Sequence, residues 1–120
     1  MHVEHMPITE QEQVRRAAQE YYDAWFDGDA ERMADILHPD LVKRAAGDEL
    51  RTTTRERMVV LTGDGEGVKE AADRTLDIVV HEVHEHVASA RVRSAVYHEL
   101  LHLVRTPSGW KIASALYVLT

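Results

Sequence analysis

The sequence predicts an α+β fold in which helices pack on one face of an antiparallel sheet. In the first half of the chain, apolar residues recur at three- and four-residue steps, which is typical of helices. After Arg74 the chain changes to runs rich in β-branched and apolar residues, separated by short polar turns. Such runs are typical of an antiparallel meander. Helices first and strands afterwards indicate that the two kinds of element form separate layers.

Length and composition fit a single domain over residues 1–120. The chain is 44% hydrophobic and 29% charged, which is enough for one core and too little for two domains. It has no cysteine, which excludes disulfides, thiolate metal sites and cysteine nucleophiles. Lys and Arg number 14 against 21 Asp and Glu, so the formal charge is -7. Binding to nucleic acid or to an anionic membrane surface is therefore not expected.

The N-terminal segment shows no targeting signal. Residues 1–8 are predicted to be a flexible N-terminus, without the basic and apolar regions of a signal peptide. No apolar stretch approaches the roughly 20 residues that span a bilayer. We therefore expect a cytoplasmic protein that does not associate with membranes.

The first predicted helix starts at a capping box formed by Thr9 and Glu12. Gly28 ends this helix, and Asp29 is placed to cap the next one. One wide apolar stripe marks the face that packs on the sheet. Its members are Val14, Ala17, Ala18, Tyr21, Tyr22 and Trp25.

A second and a third helix flank a short first strand. The second helix directs Met33, Ile36 and Leu37 inward and is predicted to stop at Pro39. The first strand is predicted over residues 41–46. Thr53 and Glu56 repeat the capping-box spacing and predict the start of a third helix.

The remaining elements are four strands. They are predicted at 76–83, 87–97, 100–105 and 110–119, with turns at His84–His86 and Thr106–Gly109. The glycine-rich stretch at 63–67 is acidic and lacks the lysine of a phosphate-binding loop, so it is predicted to be a linker within the domain.

Three segments in this order resemble the nuclear transport factor two-like superfamily, which includes ketosteroid isomerase and the SnoaL-like polyketide cyclases. The segments are YYDAWFDGDAERMADILHPDLVKR (21–44), RERMVVLTGDG (55–65) and ELLHLVRTPSGWKI (99–112). Within the superfamily they most resemble a small bacterial branch named putative lumazine-binding. The resemblance implies a cone-shaped roll, with three N-terminal helices on a strongly curved antiparallel sheet. It also implies a pocket inside the cone and a homodimer formed through the outer face of the sheet.

The resemblance leaves the activity open, because this scaffold hosts both enzymes and binding proteins. Ketosteroid isomerase has its carboxylate base on the strand after the second helix, and the matching position here is at or near Ala45. No carboxylate lies between Asp40 and Asp48. Proton abstraction by the isomerase route is therefore not expected. Tyr21 falls near the oxyanion-binding tyrosine of that enzyme, so this half of its machinery is expected to remain.

Aromatic and basic residues are the first candidates for a site. Tyr21 and Trp25 either pack in the core or bind a ligand, with the tyrosine hydroxyl donating to a ligand oxygen. Lys43 and Arg44 are adjacent, so on a strand they point to opposite faces and one of them faces the helices or the pocket. That cation either binds an anionic ligand group or pairs with a neighbouring acid.

Histidines are the second set of candidates. His38 either interacts with the end of the second helix or serves as a base in the pocket. His102 is the best candidate for acid–base chemistry if it points inward, as we expect; pointing outward, it would lie at a dimer face. His84 and His86 are expected to be solvated in a hairpin turn, and His98 is too far from His102 for both to bind one ion.

The preferred interpretation is a small-molecule-binding protein with a partly apolar ligand in the cone, with or without an anionic group. The expected ligand-binding residues are Tyr21, Trp25, Lys43 or Arg44, and His102. The alternative is a SnoaL-like cyclase, isomerase or dehydratase with His102 or His38 as general base and Tyr21 as oxyanion donor. A third hypothesis is a protein–protein module with a cone filled by side chains. No cofactor and no metal site is predicted.

Overall fold

The computed structural model describes residues 8–120 and confirms the predicted α+β fold. Within this range three α-helices, α1 to α3, span Glu10–Asp27, Ala30–Ile36 and Arg55–Gly63. A short 3₁₀ helix spans Val68–Glu70. The strands β1 to β6 are Leu37–Ala45, Arg51–Thr53, Asp77–His84, Val87–Arg93, Tyr97–Thr106 and Gly109–Leu119. The segment predicted to be flexible, residues 1–8, lies outside the described residues except for Ile8.

Helices α1 and α2 are joined as the sequence predicts. The Thr9 hydroxyl accepts a hydrogen bond from the backbone N–H of Glu12 and caps the start of α1. Gly28 ends this helix in the left-handed conformation, with φ of 67°, which a residue without Cβ adopts at little cost. The Asp29 side chain then accepts from the N–H of Arg32 and starts α2.

The predicted cap of α3 is wrong by one residue, because the hydroxyl that accepts from the N–H of Arg57 belongs to Thr54. Thr53 is the last residue of β2, a short strand that the sequence did not indicate. We expect Thr54→Ala to lower the free energy of unfolding by about 1 kcal/mol, because a helix N–H loses its acceptor. Thr53→Ala is the control and should cost less than half as much. Urea denaturation of both variants would test this, and an equal loss would contradict the assignment.

Strand β1 begins earlier than predicted. Helix α2 ends at Ile36, and Leu37 already pairs with Ile112 of β6, so Pro39 lies within β1. The register between β1 and β6 shifts between Leu37 and Val42. This irregularity accommodates Pro39, because proline has no N–H to donate to a regular ladder.

The strands of the described range form one curved, open sheet in the order β2-β1-β6-β5-β4-β3. The predicted antiparallel sheet is mixed at one pair, since β1 and β6 run parallel. These two strands are far apart in the chain, so no hairpin turn fixes their relative direction. All other neighbours are antiparallel.

The turn between β4 and β5 also differs from the prediction, which placed the break after Tyr97. The Ser94 hydroxyl accepts from the N–H groups of Val96 and Tyr97 and closes the turn there. As a result β5 starts at Tyr97 and includes Glu99 as a core-facing residue.

The core lies between the concave face of the sheet and the helices. Helix α1 packs on β3, β4 and β6, while α3 packs on α2 and β1. The largest apolar side chains of this layer that are almost completely buried are Met33, Leu37, Leu101, Leu103 and Ile112. Among the helices described, none is both long and apolar enough to cross a membrane.

Candidate functional site

A buried carboxylate, Glu99, is the centre of a polar network inside the fold. Its residue is only 1% exposed. One carboxylate oxygen accepts from the Tyr22 hydroxyl at 2.9 Å, and the other accepts from the Tyr21 hydroxyl at 3.2 Å. The ammonium group of Lys43 lies 3.2 Å from the second oxygen. A carboxylate at this depth is tolerated because it is paired and hydrogen-bonded.

Lys43 supplies the positive charge of this network. Its Nζ donates to the Tyr21 hydroxyl at 2.5 Å and lies 4.8 Å from the centre of the Tyr117 ring. The side chain is 12% exposed. The positive charge is therefore compensated within the protein, by Glu99 and by the faces of the aromatic rings.

The tyrosines around the network are held in the neutral form. Burial raises the pKa of Tyr21 and of Tyr22, and the nearby Glu99 carboxylate raises both further. Burial also raises the pKa of Tyr97, where a hydrogen bond to Glu70 adds to the effect. These hydroxyls are thus donors at neutral pH.

The raised pKa values of the tyrosines predict a loss of stability at high pH. All four tyrosines of the chain have a raised pKa in the folded state. Stability should be full below pH ~10, the ordinary tyrosine pKa, and fall above it, because the unfolded chain releases protons that the folded chain keeps. We expect the ultraviolet absorbance of tyrosinate to appear together with unfolding. Ionisation of most tyrosines near pH ~10 in a folded protein would contradict this.

The interior beside the network is nearly filled. The inner cavity leaves about 20 Å³ for the centres of water molecules, which is room for about one water. Its lining consists of Tyr21, Tyr22, Trp25, Lys43, Met58, Tyr97 and Glu99. A ligand larger than water therefore has no space at this depth in the present conformation.

A larger opening, the mouth pocket, lies directly outside this cavity and has a volume of about 210 Å³. Glu70 fixes two of its aromatic walls: one carboxylate oxygen accepts from the Trp25 indole N–H at 2.9 Å, and the other from the Tyr97 hydroxyl at 2.8 Å. The complete lining is Trp25, Lys43, Thr53, Met58, Leu61, Glu66, Glu70, Tyr97 and Tyr117.

The structure brings together three of the predicted site residues, Tyr21, Trp25 and Lys43. Of the basic pair, Lys43 points inward and Arg44 is exposed on the outer face. The alternation along β1 decides this, because Leu41 and Lys43 share the face turned to the helices. Whether these residues bind a ligand stays a prediction.

The two candidate histidines lie outside this group. The expected inward orientation of His102 is wrong: Leu101 and Leu103 take the buried face of β5, and His102 is exposed, with Nδ1 3.0 Å from the Ser114 hydroxyl. His38 is half-buried near the start of β1 rather than in α2. Its Nδ1 accepts from the N–H of Asp40 at 3.0 Å, which fixes this corner of the chain. His84 and His86 are exposed at the β3–β4 hairpin, as expected.

Sequence reasoning did not identify Glu99, Glu70 or Tyr97 as site residues. For Glu99 a signal was present, since it alternates with Leu101 and Leu103 and therefore shares their buried face. Glu70 carries no comparable signal. Its position depends on the 3₁₀ helix at Val68–Glu70, in a stretch without periodicity.

Comparison with protein families gives one match. A family model described as "Putative lumazine-binding" matches residues 9–118, which is nearly the whole chain. No curated protein matches the chain.

Solved structures with the same fold share little sequence with this chain. A nuclear transport factor two-like protein of unknown function from Silicibacter pomeroyi is 16% identical, with a TM-score of 0.72, covering 90% of this chain and 93% of its own. One from Cytophaga hutchinsonii is also 16% identical, with a TM-score of 0.72, covering 94% and 100%. A protein named as a putative dehydratase from Streptomyces avermitilis is 18% identical, with a TM-score of 0.64, covering 92% and 96%. The chain belongs to the putative lumazine-binding family and has the nuclear transport factor two-like fold.

Proposed function

We propose that this protein binds a small, partly apolar molecule at the mouth pocket. The observation that carries the proposal is an opening with three aromatic walls, Trp25, Tyr97 and Tyr117, above a polar network. Small-molecule sites typically combine apolar walls with a few fixed polar groups in this way. Membership of a family named for ligand binding supports the same conclusion.

The polar end of the site is better suited to hydrogen bonding than to holding a free anion. The Lys43 ammonium is already paired with Glu99, and the mouth pocket also contains the carboxylates of Glu66 and Glu70. An anionic group at this position would lie beside the Glu70 carboxylate, which has no cationic partner among the described residues, whereas Glu66 is paired with Lys69. The aromatic part of a ligand therefore fits the mouth pocket better than its charged part.

Two neighbouring threonines allow this proposal to be tested. Thr53 lines the mouth pocket, whereas Thr52 pairs with the outward-facing Arg44. The probe is N-phenyl-1-naphthylamine, a neutral aromatic compound whose fluorescence rises in apolar surroundings. Thr53→Trp should fill the opening and raise the Kd by on the order of tenfold or more, with Thr52→Trp close to the wild type. No binding by the wild type, or a loss only in Thr52→Trp, would contradict the proposal.

An enzyme is the second candidate function. It is favoured by the hydrogen-bonded chain Lys43–Tyr21–Glu99 at the inner end of the site and by the fold shared with the putative dehydratase. Tyr21 would exchange its hydrogen bond to Glu99 for one to a developing oxyanion, which requires the inner cavity to widen beyond one water. No histidine of the described range lines the mouth pocket, so the proposed enzyme would not use a histidine as general base. Turnover that persists in Tyr21→Phe would contradict it.

We also propose that a second copy of the chain covers the outer face of the sheet. Apolar side chains cluster at its centre, where Leu100 pairs with Leu116, each more than two-fifths exposed. Val42, Val79 and Val118 lie on the same face and are also exposed. Patches of this kind mark protein interfaces. Leu100→Glu should convert a dimer into a monomer in sedimentation, and an unchanged mass would contradict this.

A further inference from the structure

Beside the mouth pocket lies a second concavity, the rim groove, with a volume of about 710 Å³. The two spaces share Thr53, Leu61 and Tyr117 in their linings, so they are adjacent. The mouth pocket alone is smaller than the roughly 300–1,000 Å³ of typical small-molecule sites. A ligand of ordinary size would therefore extend from the mouth pocket into the rim groove.

Two arginines line the rim groove, Arg51 from β2 and Arg57 from α3. Arg51 lies on β2 opposite Ala45, which in turn pairs with Tyr117, so these residues form one row across the sheet. Burial and the charge of Glu99 raise the pKa of Tyr117, and the charge of Arg51 partly offsets this. Arg57 lies on the first turns of α3 and is exposed.

Neither arginine is engaged in an ion pair within the described part of the chain. Most other arginines are, including Arg32 with Glu20 and Arg105 with Glu10. The full set of ion pairs of residues 8–120 contains neither Arg51 nor Arg57. Their guanidinium groups are thus available to a ligand, in contrast to Lys43, which is paired with Glu99.

We infer that the rim groove is an anion subsite in which Arg51 and Arg57 bind a carboxylate, sulfonate or phosphate group. This group belongs to the same molecule whose aromatic part occupies the mouth pocket, so the inference rests on the proposed function. A guanidinium binds such oxyanions through paired, charge-assisted hydrogen bonds. Leu61 and Leu119 supply apolar surface between the two ends of the ligand.

The groove also contains two acidic residues, Asp48 and Glu49, in the connection between β1 and β2. They cancel the positive charge at long range, and solvent ions screen what remains. The subsite therefore acts through direct contact with the ligand anion rather than through a long-range field. Asp48→Asn/Glu49→Gln should strengthen anion binding moderately.

A matched pair of dyes tests the inference. 1-Anilinonaphthalene-8-sulfonate has the aromatic skeleton of N-phenyl-1-naphthylamine and adds one sulfonate. The wild type should bind 1-anilinonaphthalene-8-sulfonate more tightly than the neutral dye. In Arg51→Gln/Arg57→Gln its affinity should fall by on the order of tenfold, because charge-assisted hydrogen bonds are lost, while the neutral dye is unaffected.

The control variant is Arg44→Gln/Arg93→Gln, which removes the same charge from exposed positions on the outer face. It should bind both dyes as the wild type does. An equal loss of sulfonate binding in both double variants would overturn the inference, since only the net charge would matter. So would unchanged sulfonate binding in Arg51→Gln/Arg57→Gln while the neutral dye still binds. If the wild type binds neither dye, the proposed function fails and the inference falls with it.

Discussion

Replacing Glu99 with glutamine is expected to lower the free energy of unfolding by about 3 kcal/mol or more, although the amide has almost the same shape. The Lys43 ammonium would keep its position in the interior but lose its counter-charge, which now lies at 3.2 Å. The glutamine oxygen can accept from one tyrosine hydroxyl, but the other hydroxyl would meet the amide NH2 and lose its acceptor. The loss would therefore combine the unpaired Lys43 charge with one unsatisfied hydroxyl. Urea denaturation at neutral pH measures it.

A double-mutant cycle with Lys43→Met isolates this pair. Lys43→Met alone should also cost about 3 kcal/mol, because it leaves the Glu99 carboxylate buried without a cation. In Lys43→Met/Glu99→Gln no charge remains, so the double variant should be more stable than the sum of the single losses predicts, by at least about 1 kcal/mol. Additive losses would contradict the role of Glu99 as the partner of Lys43. The two side chains would then be close in space without contributing to each other's stability.

The elements of the fold could be predicted because local signals determine them. Thr9, Gly28 and Asp29 act through hydrogen bonds and backbone geometry within a few residues, and all three have the predicted role. The wrong predictions concern elements whose limits depend on contacts between residues that are distant in the chain. Strand β1 starts at Leu37 because Ile112 is there to pair with it, and no local pattern contains that information.

The candidate site was predicted only in part, for a related reason. Alternation shows that Lys43 and Arg44 face opposite sides, but only the packing of α1 and α3 shows which side is buried. For His102 the same rule gives the correct answer once Leu101 and Leu103 are assigned to the core. The expected inward orientation of His102 did not take this alternation into account.

The walls of the mouth pocket depend on a segment that has little regular structure of its own. Glu70 holds Trp25 and Tyr97 in place, and Glu70 is positioned by the 3₁₀ helix that begins at Val68. This helix packs on α1. The contact is close because Gly67, the residue before the 3₁₀ helix, is buried against the backbone of Trp25.

Gly67→Ala is accordingly expected to destabilise the protein by about 2–3 kcal/mol, by overpacking rather than by backbone strain. The φ of Gly67 is −75°, which alanine adopts readily. An added Cβ, however, would lie 2.5 Å from Cγ of the Trp25 ring and even closer to the Trp25 carbonyl oxygen. The backbone cannot yield there without moving α1 or the 3₁₀ helix. Thermal and urea unfolding would measure the loss.

Gly47→Ala is the matched control, because a Cβ at that position meets its nearest neighbour, the Glu49 carbonyl oxygen, at an ordinary 3.9 Å. It should change the free energy of unfolding by no more than about 0.5 kcal/mol. Gly67→Ala should in addition weaken binding of N-phenyl-1-naphthylamine, since displacement of the 3₁₀ helix releases Glu70 from Trp25 and Tyr97. If Gly67→Ala is destabilised while dye binding is unchanged, the aromatic walls do not depend on Glu70, and the mouth pocket is held open by α1 and the sheet alone.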